Sequence, residues 1–151
     1  MTQQQDQWRA GRLAGAMYLL QMSTAIAGFA IRQSFGVSGD PAATARNISE
    51  GERLYRLSIA VDLATVCAVV VLTWSCYVLL KPVDRNLALL AALFRMLENA
   101  VLAGIGVMLL ISLGLLVSPE YLKAFDAGQL QSLSRLFRSG HAQGFAIGFI
   151  F

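Results

Sequence analysis

The chain has 151 residues, of which 56% are hydrophobic and only 14% are charged, and its mean hydropathy is +0.59. These values lie outside the range of ordinary soluble domains and exclude that class. The net charge is +3. We expect the lipid bilayer to be the partner of this chain, and we do not expect it to bind nucleic acid.

Three charge-free runs predict three membrane-spanning helices. A hydrocarbon core about 30 Å thick requires roughly 20 apolar helical residues, and each run has that length or nearly so. The first run has nineteen residues, which is longer than the apolar core of a signal peptide, about 7–15 residues, so we expect it to be retained as a span. The runs and their flanks place the predicted spans at about 10–31, 57–80 and 87–117.

The segments between the spans carry signals for two further helices. Asp40 and Pro41 supply an N-cap and a proline at the first helical position, which predicts a short helix outside the bilayer from Pro41 to about Ser49. Pro82 ends the second span, and Asp84 or Asn86 is expected to cap the third. Spans joined by so short a loop must pack side by side and antiparallel.

The connection after the third span predicts an amphipathic helix around Leu130, which lies on the membrane face or against the bundle. Its apolar residues are spaced three and four apart, at Leu130, Leu133, Leu136 and Phe137. Arg135 and Arg138 either contact lipid phosphates or belong to a solvated polar face, which is the commoner role of such residues.

A fourth apolar run begins at Gly140 and stops after twelve residues at Phe151, too short to cross a bilayer. A carboxylate and the last carbonyls of a helix would lack water there. We therefore expect residues 140–151 to be the start of a fourth span, in a chain truncated from a longer protein.

The distribution of basic residues gives two answers for orientation. Arg9, Arg12, Lys81 and Arg85 lie close to span ends on one side of the membrane, whereas the other side has seven Lys or Arg in two longer loops. Because short loops and span ends govern orientation, we expect a multi-pass protein of the bacterial inner membrane with its N-terminus in the cytoplasm.

Small residues recur at helix-packing spacing. Glycines at this spacing allow two helix backbones to approach closely, either within the chain or between copies or other membrane subunits. Packing within the chain is the preferred interpretation, because most contacts of a bundle are internal. The candidate packing positions are Gly11, Gly15, Gly104, Gly140, Gly144 and Gly148.

Ionisable and polar residues interrupt the apolar runs. Arg95, Glu98 and Asn99 stand at i, i+3 and i+4, so they project from one face of the third span. A charge at the centre of a lone span costs about 2.5–3.5 kcal/mol, so deep burial would require pairing, whereas a position near the headgroups would cost little. The apolar stretch is too long to decide between these depths.

Asp62 and His141 complete the candidate polar cluster of Asp62, Arg95, Glu98, Asn99 and His141. Asp62 and Arg95 should lie at different heights, because the second and third spans are antiparallel. The expected partners of Asp62 are therefore Arg53, Arg56, a polar residue of the first or fourth helix or, over long range, His141.

The cluster has two interpretations: a pocket that binds a ligand or moves a proton, or interfacial charges and packing hydrogen bonds. One histidine and scattered carboxylates lack the spacing of a metal site, so no metal or cofactor is expected.

Five segments carry a resemblance to a known family: RLAGAMYLL at 12–20, GDPAATARNI at 39–48, RLSIAVDLA at 56–64, the block YVLLKPVDRNLALLAALFRMLENAVL at 77–102 and HAQGFAIGF at 141–149. Their resemblance is to the bacterial membrane family known as domain of unknown function 4386. It implies a polytopic helical membrane protein that continues beyond the histidine segment, with no established activity, substrate or cofactor.

The sequence therefore predicts an all-α, transmembrane antiparallel helical bundle of three full spans plus the start of a fourth. For function it leaves two classes open. The favoured class binds, transports or senses a small or lipidic ligand through interhelical polar residues. The alternatives are a membrane enzyme that uses His141 with Asp62 or Glu98, and a structural subunit.

Overall fold

A computed structural model describes residues 3–148 of the chain, and that part is helical throughout apart from short connections. The helices are α1 (Gln3–Gln33), α2 (Pro41–Glu50), α3 (Glu52–Leu80), α4 (Arg85–Val117), α5 (Pro119–Ala124) and α6 (Ala127–Gly148). The predicted all-α bundle is confirmed.

Three of these helices, α1, α3 and α4, are long and apolar enough to cross a membrane. At 1.5 Å per residue, the 33 residues of α4 extend for about 50 Å. Large apolar side chains on their outer faces are exposed, among them Leu19, Ile26, Trp74 and Leu93. In water such a surface would be unstable, whereas hydrocarbon solvates it. The chain is a membrane protein.

The four long helices form a row in which each packs on the next, in the order α1, α3, α4, α6. The residue pairs in contact show that neighbours run antiparallel. Thr65 of α3 donates a hydrogen bond to Thr24 of α1 at 2.7 Å. Within the described residues, the outer helices α1 and α6 do not contact each other.

Side-chain caps set two of the helix starts. Asp40 accepts a hydrogen bond from the Ala43 amide at 2.8 Å, and Pro41 is the first residue of α2, as the sequence indicated. Of the two candidate caps for α4, Asp84 is the one used, and it accepts from the amides of Asn86 and Leu87.

The short helix α2 lies over one end of the row, which we call the α2 end. Its Ala45 and Ile48 are buried in an apolar cluster with Phe35, Tyr55, Ile59, Leu109, Leu113 and Leu116. The rings of Phe35 and Tyr55 meet edge to face, 5.5 Å between centroids. Gly51, between α2 and α3, leaves room for the Phe35 ring where a side chain would collide.

The sequence predicted a surface helix around Leu130 and a separate fourth span from Gly140, and the structure differs from this prediction. Residues 127–148 form one helix that runs along α4, with Leu130 and Ser134 buried. Gly140 does not interrupt it, because a glycine inside a helix costs only about 1 kcal/mol and neighbouring packing offsets this. Residues 149–151 of the predicted fourth run lie outside the described residues.

Three of the candidate packing glycines lie against a neighbouring helix. An added Cβ would lie 3.1 Å from Met108 Sδ at Gly140 and 2.5 Å from Ile105 Cγ2 at Gly144, so these two lie tightly against α4. Gly11 is 3.9 Å by the same measure from Leu79 of α3.

Gly15 and Gly104 have no atom within 4 Å of such a Cβ, so within the described residues no other helix approaches them. Their role in packing stays a prediction. The surroundings of Gly148 lie outside the described residues.

Candidate functional site

An ion pair joins α1 to α3 near the α2 end. Arg32 Nη1 donates to Asp62 Oδ2 at 2.5 Å, and the two side chains are 18% and 26% exposed. Arg32 is the penultimate residue of α1, and Asp62 lies ten residues into α3. The guanidinium therefore extends from its helix end back along the bundle to meet the carboxylate.

Gly28 makes this arrangement possible. A Cβ at this position would lie 2.5 Å from Asp62 Oδ1, and 3.4 Å from both Arg32 Nη1 and the Ser58 carbonyl oxygen. Because Gly28 has only a hydrogen atom in place of a side chain, the carboxylate of Asp62 can occupy this space. The pair is built by three residues of two helices, two of them one turn apart on α1.

Three buried hydroxyl groups lie on α3, α4 and α6. Ser112 of α4 donates to the main-chain oxygen of Ser134 of α6 at 3.2 Å, and their two Oγ atoms are 2.8 Å apart. Tyr55 of α3 lies beside Ser112 and within electrostatic range of Arg32 and Asp62. Its ring belongs to the apolar cluster under α2, and only 2% of the residue is exposed.

Arg138 of α6 is the second cation at this place. It lies within electrostatic range of Tyr55, one turn along α6 from Ser134. Its Nε atom is buried and has no hydrogen-bond partner in the part of the chain that the structure describes. Unsatisfied donors of this kind are costly when water is excluded. The neighbouring Arg135 is exposed instead.

His141 lies one turn beyond Arg138 on the same helix. Its ring stacks on Phe145, with 6.4 Å between centroids, and it is within electrostatic range of Arg32. Asp62 therefore pairs with Arg32, a polar residue of the first helix, and not with His141, the expected long-range partner. Arg56, another candidate, pairs with Glu52 at 2.7 Å.

Together these residues form what we call the four-helix polar site. Each long helix contributes to it. The Arg32 guanidinium is paired with Asp62, whereas Arg138 belongs to none of the ion pairs among the described residues. Its members are Arg32, Tyr55, Asp62, Ser112, Ser134, Arg138 and His141.

The other members of the predicted cluster lie elsewhere. Asn99 of α4 donates to the Val66 carbonyl of α3 at 3.1 Å, and this contact fixes the heights of the two helices. Arg95 then lies eight residues further from the α2 end than the level of Asp62, or about 12 Å. The predicted difference in height between Asp62 and Arg95 follows directly from this register.

Arg95 and Glu98 satisfy each other within α4. Arg95 Nη1 donates to Glu98 Oε2 at 2.5 Å, with the side chains 35% and 13% exposed. Asn99 is 3% exposed, and its Oδ1 is buried without a partner among the described residues. One face of α4 does hold all three residues, but only Asn99 bonds to a neighbouring helix.

Sequence reasoning assigned Arg138 to lipid contact or a solvated face and missed Arg32, Tyr55, Ser112 and Ser134. One signal for Arg32 existed: it ends a charge-free run, and Gly28 precedes it by one turn. The serines carry no such signal, because a serine in an apolar helix normally bonds to its own main chain.

Within the residues described, no three His, Cys, Asp or Glu side chains are placed to hold a metal ion. The Arg138 guanidinium of the polar site instead offers planar N–H donors, which suit an oxyanion.

Comparison with known proteins gives one match. A family model with the description "Domain of unknown function (DUF4386)" matches residues 13–151. No curated protein and no solved structure matches the chain.

Proposed function

The chain belongs to the family Domain of unknown function (DUF4386), and we propose that this member binds a small or lipidic ligand with an oxyanion group in the four-helix polar site. One observation carries the proposal. The Nε atom of Arg138 is buried without a hydrogen-bond partner among the described residues, and Arg138 belongs to none of the ion pairs found there.

The chemistry of the site favours an oxyanion over other ligands. A guanidinium presents planar donors that match a carboxylate or phosphate. In surroundings of low polarity, such hydrogen bonds are stronger than in water. An anion at Arg138 would satisfy the buried donor and neutralise its guanidinium.

Binding has better support than catalysis by His141 with Asp62 or Glu98. Asp62 is held by Arg32, and Glu98 is held by Arg95 on a level farther from the α2 end. Neither carboxylate is hydrogen-bonded to the imidazole within the described residues, so the base and its orienting group that nucleophilic catalysis requires are not assembled.

The setting we propose is the inner membrane of a bacterium, with the N-terminus in the cytoplasm and the α2 end on the other side. The support is the density of basic residues close to the span ends at 9–12 and 81–85. Gly15 and Gly104, which no helix of the described chain covers, are the surfaces that self-association or another subunit would use.

Octyl phosphate is a suitable probe, added to the full chain in uncharged detergent micelles, with octanol as the matched uncharged compound. A ligand that binds only the folded state raises the free energy of unfolding by about 2.7 kcal/mol at 100 times its Kd. We expect octyl phosphate, and not octanol, to raise the Tm of the protein by several degrees in a concentration-dependent way.

The matched variants are Arg138→Gln and Arg135→Gln, which remove the same charge three residues apart on α6. Because Arg135 lies within electrostatic range of Arg138, we expect Arg135→Gln to keep most of the stabilisation, and Arg138→Gln to lose most of it. Equal stabilisation of the two variants, or none of the wild-type protein, would overturn the proposal.

A further inference from the structure

We infer that Ser112 and Ser134 are positioning residues, whose contact between α4 and α6 holds Arg138 at the place where the oxyanion binds. This inference rests on the proposed function and adds the residues that keep its cation in register. It follows from the hydrogen bond that Ser112 makes, from the carbonyl group that accepts this bond, and from the position of Arg138 one turn away.

Ser112 differs from the two buried serines of α3 in its hydrogen-bond partner. Ser58 and Ser75 each donate to a carbonyl of their own helix, at 2.7 and 2.8 Å, as serines in apolar helices normally do. Ser112 Oγ instead donates to a main-chain oxygen of another helix, that of Ser134 in α6, at 3.2 Å. The Ser112 hydroxyl group is therefore used to join two helices.

The carbonyl group that accepts this bond belongs to the turn of α6 that carries Arg138. In an α-helix the amide of each residue donates to the carbonyl four residues earlier, so the Ser134 carbonyl is also the main-chain acceptor of the Arg138 amide. The Oγ atoms of Ser112 and Ser134 are 2.8 Å apart, and both residues are fully buried. This turn is thus fixed to α4 through both the main chain and the side chain of Ser134.

The side chain of Arg138 starts beside this contact. Ser134 and Arg138 are four residues apart on α6, so they project from the same side of the helix. The guanidinium lies within electrostatic range of Tyr55 of α3, and Tyr55 is hydrogen-bonded to Ser112. Ser112 therefore contacts both the turn from which Arg138 starts and the side chain near which its guanidinium lies.

Two glycines bring the next turns of α6 close to α4. A Cβ added at Gly140 would lie 3.1 Å from an atom of α4, and one added at Gly144 would lie 2.5 Å from another. Such packing contacts set the distance between the helices but have no preferred direction. A hydrogen bond does have a preferred direction. The serine contact is therefore the one that defines the rotation of α6 at Arg138.

The orientation of Arg138 matters because of the way a guanidinium binds. It holds an oxyanion through several N–H bonds in a fixed planar arrangement. Binding therefore depends on where the side chain starts and how it is turned, as well as on its charge. Loss of the Ser112 bond would leave the charge in place and make its position less defined.

The test measures the Kd of octyl phosphate for the full chain in uncharged detergent micelles, by isothermal titration calorimetry. We expect Ser112→Ala to raise the Kd by about 3–10-fold, the equivalent of one neutral hydrogen bond. Ser134→Ala keeps the accepting carbonyl and should raise the Kd less. Ser75→Ala, the matched buried serine that bonds within its own helix, should leave the Kd unchanged. Circular dichroism establishes that each variant is folded.

The Arg138→Lys background separates a positioning role from a structural one. An ammonium group on a flexible stem has rotatable donors and needs less precise placement than a guanidinium. If Ser112 acts through Arg138, we expect Ser112→Ala to raise the Kd by less than about 2-fold in that background. A structural contact alone would lower the Tm without ligand and leave the Kd as in the wild-type protein.

Three results would overturn the inference: a wild-type Kd of Ser112→Ala, an equal loss in Ser75→Ala, or the same loss from Ser112→Ala in the Arg138→Lys background. The proposed function stands in each of these cases as long as Arg138→Gln weakens the binding of octyl phosphate and Arg135→Gln does not. If Arg138→Gln and Arg135→Gln bind octyl phosphate equally well, the proposed function fails and this inference fails with it.

Discussion

Replacement of Gly28 by alanine is the sharpest test of the ion pair at the polar site. The new Cβ would lie 2.5 Å from Asp62 Oδ1, a distance that forces the carboxylate to move away from Arg32. Loss of a hydrogen bond between charged groups costs about 1.5–3 kcal/mol. Alanine in place of glycine inside a helix stabilises the helix by about 1 kcal/mol. We therefore expect Gly28→Ala to lower the free energy of unfolding by about 0.5–2 kcal/mol.

Gly15→Ala is the matched control on the same helix, because no atom lies within 4 Å of its new Cβ. This variant should be unchanged or more stable by up to about 1 kcal/mol. The two variants should thus differ by about 0.5–3 kcal/mol, although the substitution is chemically identical. Reversible unfolding in mixed micelles with increasing SDS, followed by far-UV circular dichroism, measures both.

The combination with Asp62→Ala tests the cause of the effect. Once the carboxylate is absent, the added methyl group has nothing to displace, so Gly28→Ala should cost little in that background. The coupling energy of the double-mutant cycle should therefore approach the cost of the displaced ion pair. Additive effects, or equal effects of Gly28→Ala and Gly15→Ala in the wild-type chain, would refute this account of the site.

Two further predictions concern contacts between α4 and its neighbours. Asn99→Leu should change the free energy of unfolding by less than about 1 kcal/mol, because it removes an unsatisfied acceptor together with a single hydrogen bond. Asn99→Asp should lower the free energy of unfolding by more than about 2 kcal/mol, since a buried carboxylate would face the Val66 carbonyl. Equal costs of the two variants in SDS unfolding would contradict this. Gly144→Ala should destabilise the protein by about 1–3 kcal/mol, because the new methyl group would collide with Ile105. Ile105→Ala should suppress that cost in the double variant. An unchanged cost in the double variant would show that the collision with Ile105 does not cause the destabilisation.

The helices of this protein are predictable from the sequence because their signals are local. Runs of apolar residues locate α1, α3 and α4, and Asp40 with Pro41 marks the start of α2 to the residue. The continuity of α6 was not predictable, because the amphipathic stretch around Leu130 and the apolar run after Gly140 have different compositions. Packing along α4 accommodates both in one helix.

The polar site was only partly predictable, since its pairs depend on the register between helices. Asp62 was identified as a polar residue in need of a partner, but the sequence gives no rule for which turn of α1 lies opposite it. Arg32 resembled a flanking charge at the end of a span, and the length of its side chain hides how far it reaches. By contrast, the separation of Asp62 from Arg95 followed from antiparallel topology alone.

The ion pair between Arg32 and Asp62 can form only after both residues have been synthesised. Its two residues are thirty positions apart, with the whole of α2 between them. A chain made at about 5–20 residues per second therefore exposes Arg32 between about 1.5 and 6 seconds before Asp62 leaves the ribosome. For that interval α1 has neither its electrostatic partner nor the helix on which it packs. The arrival of α3 supplies both at once, before α4 and α6 have been made.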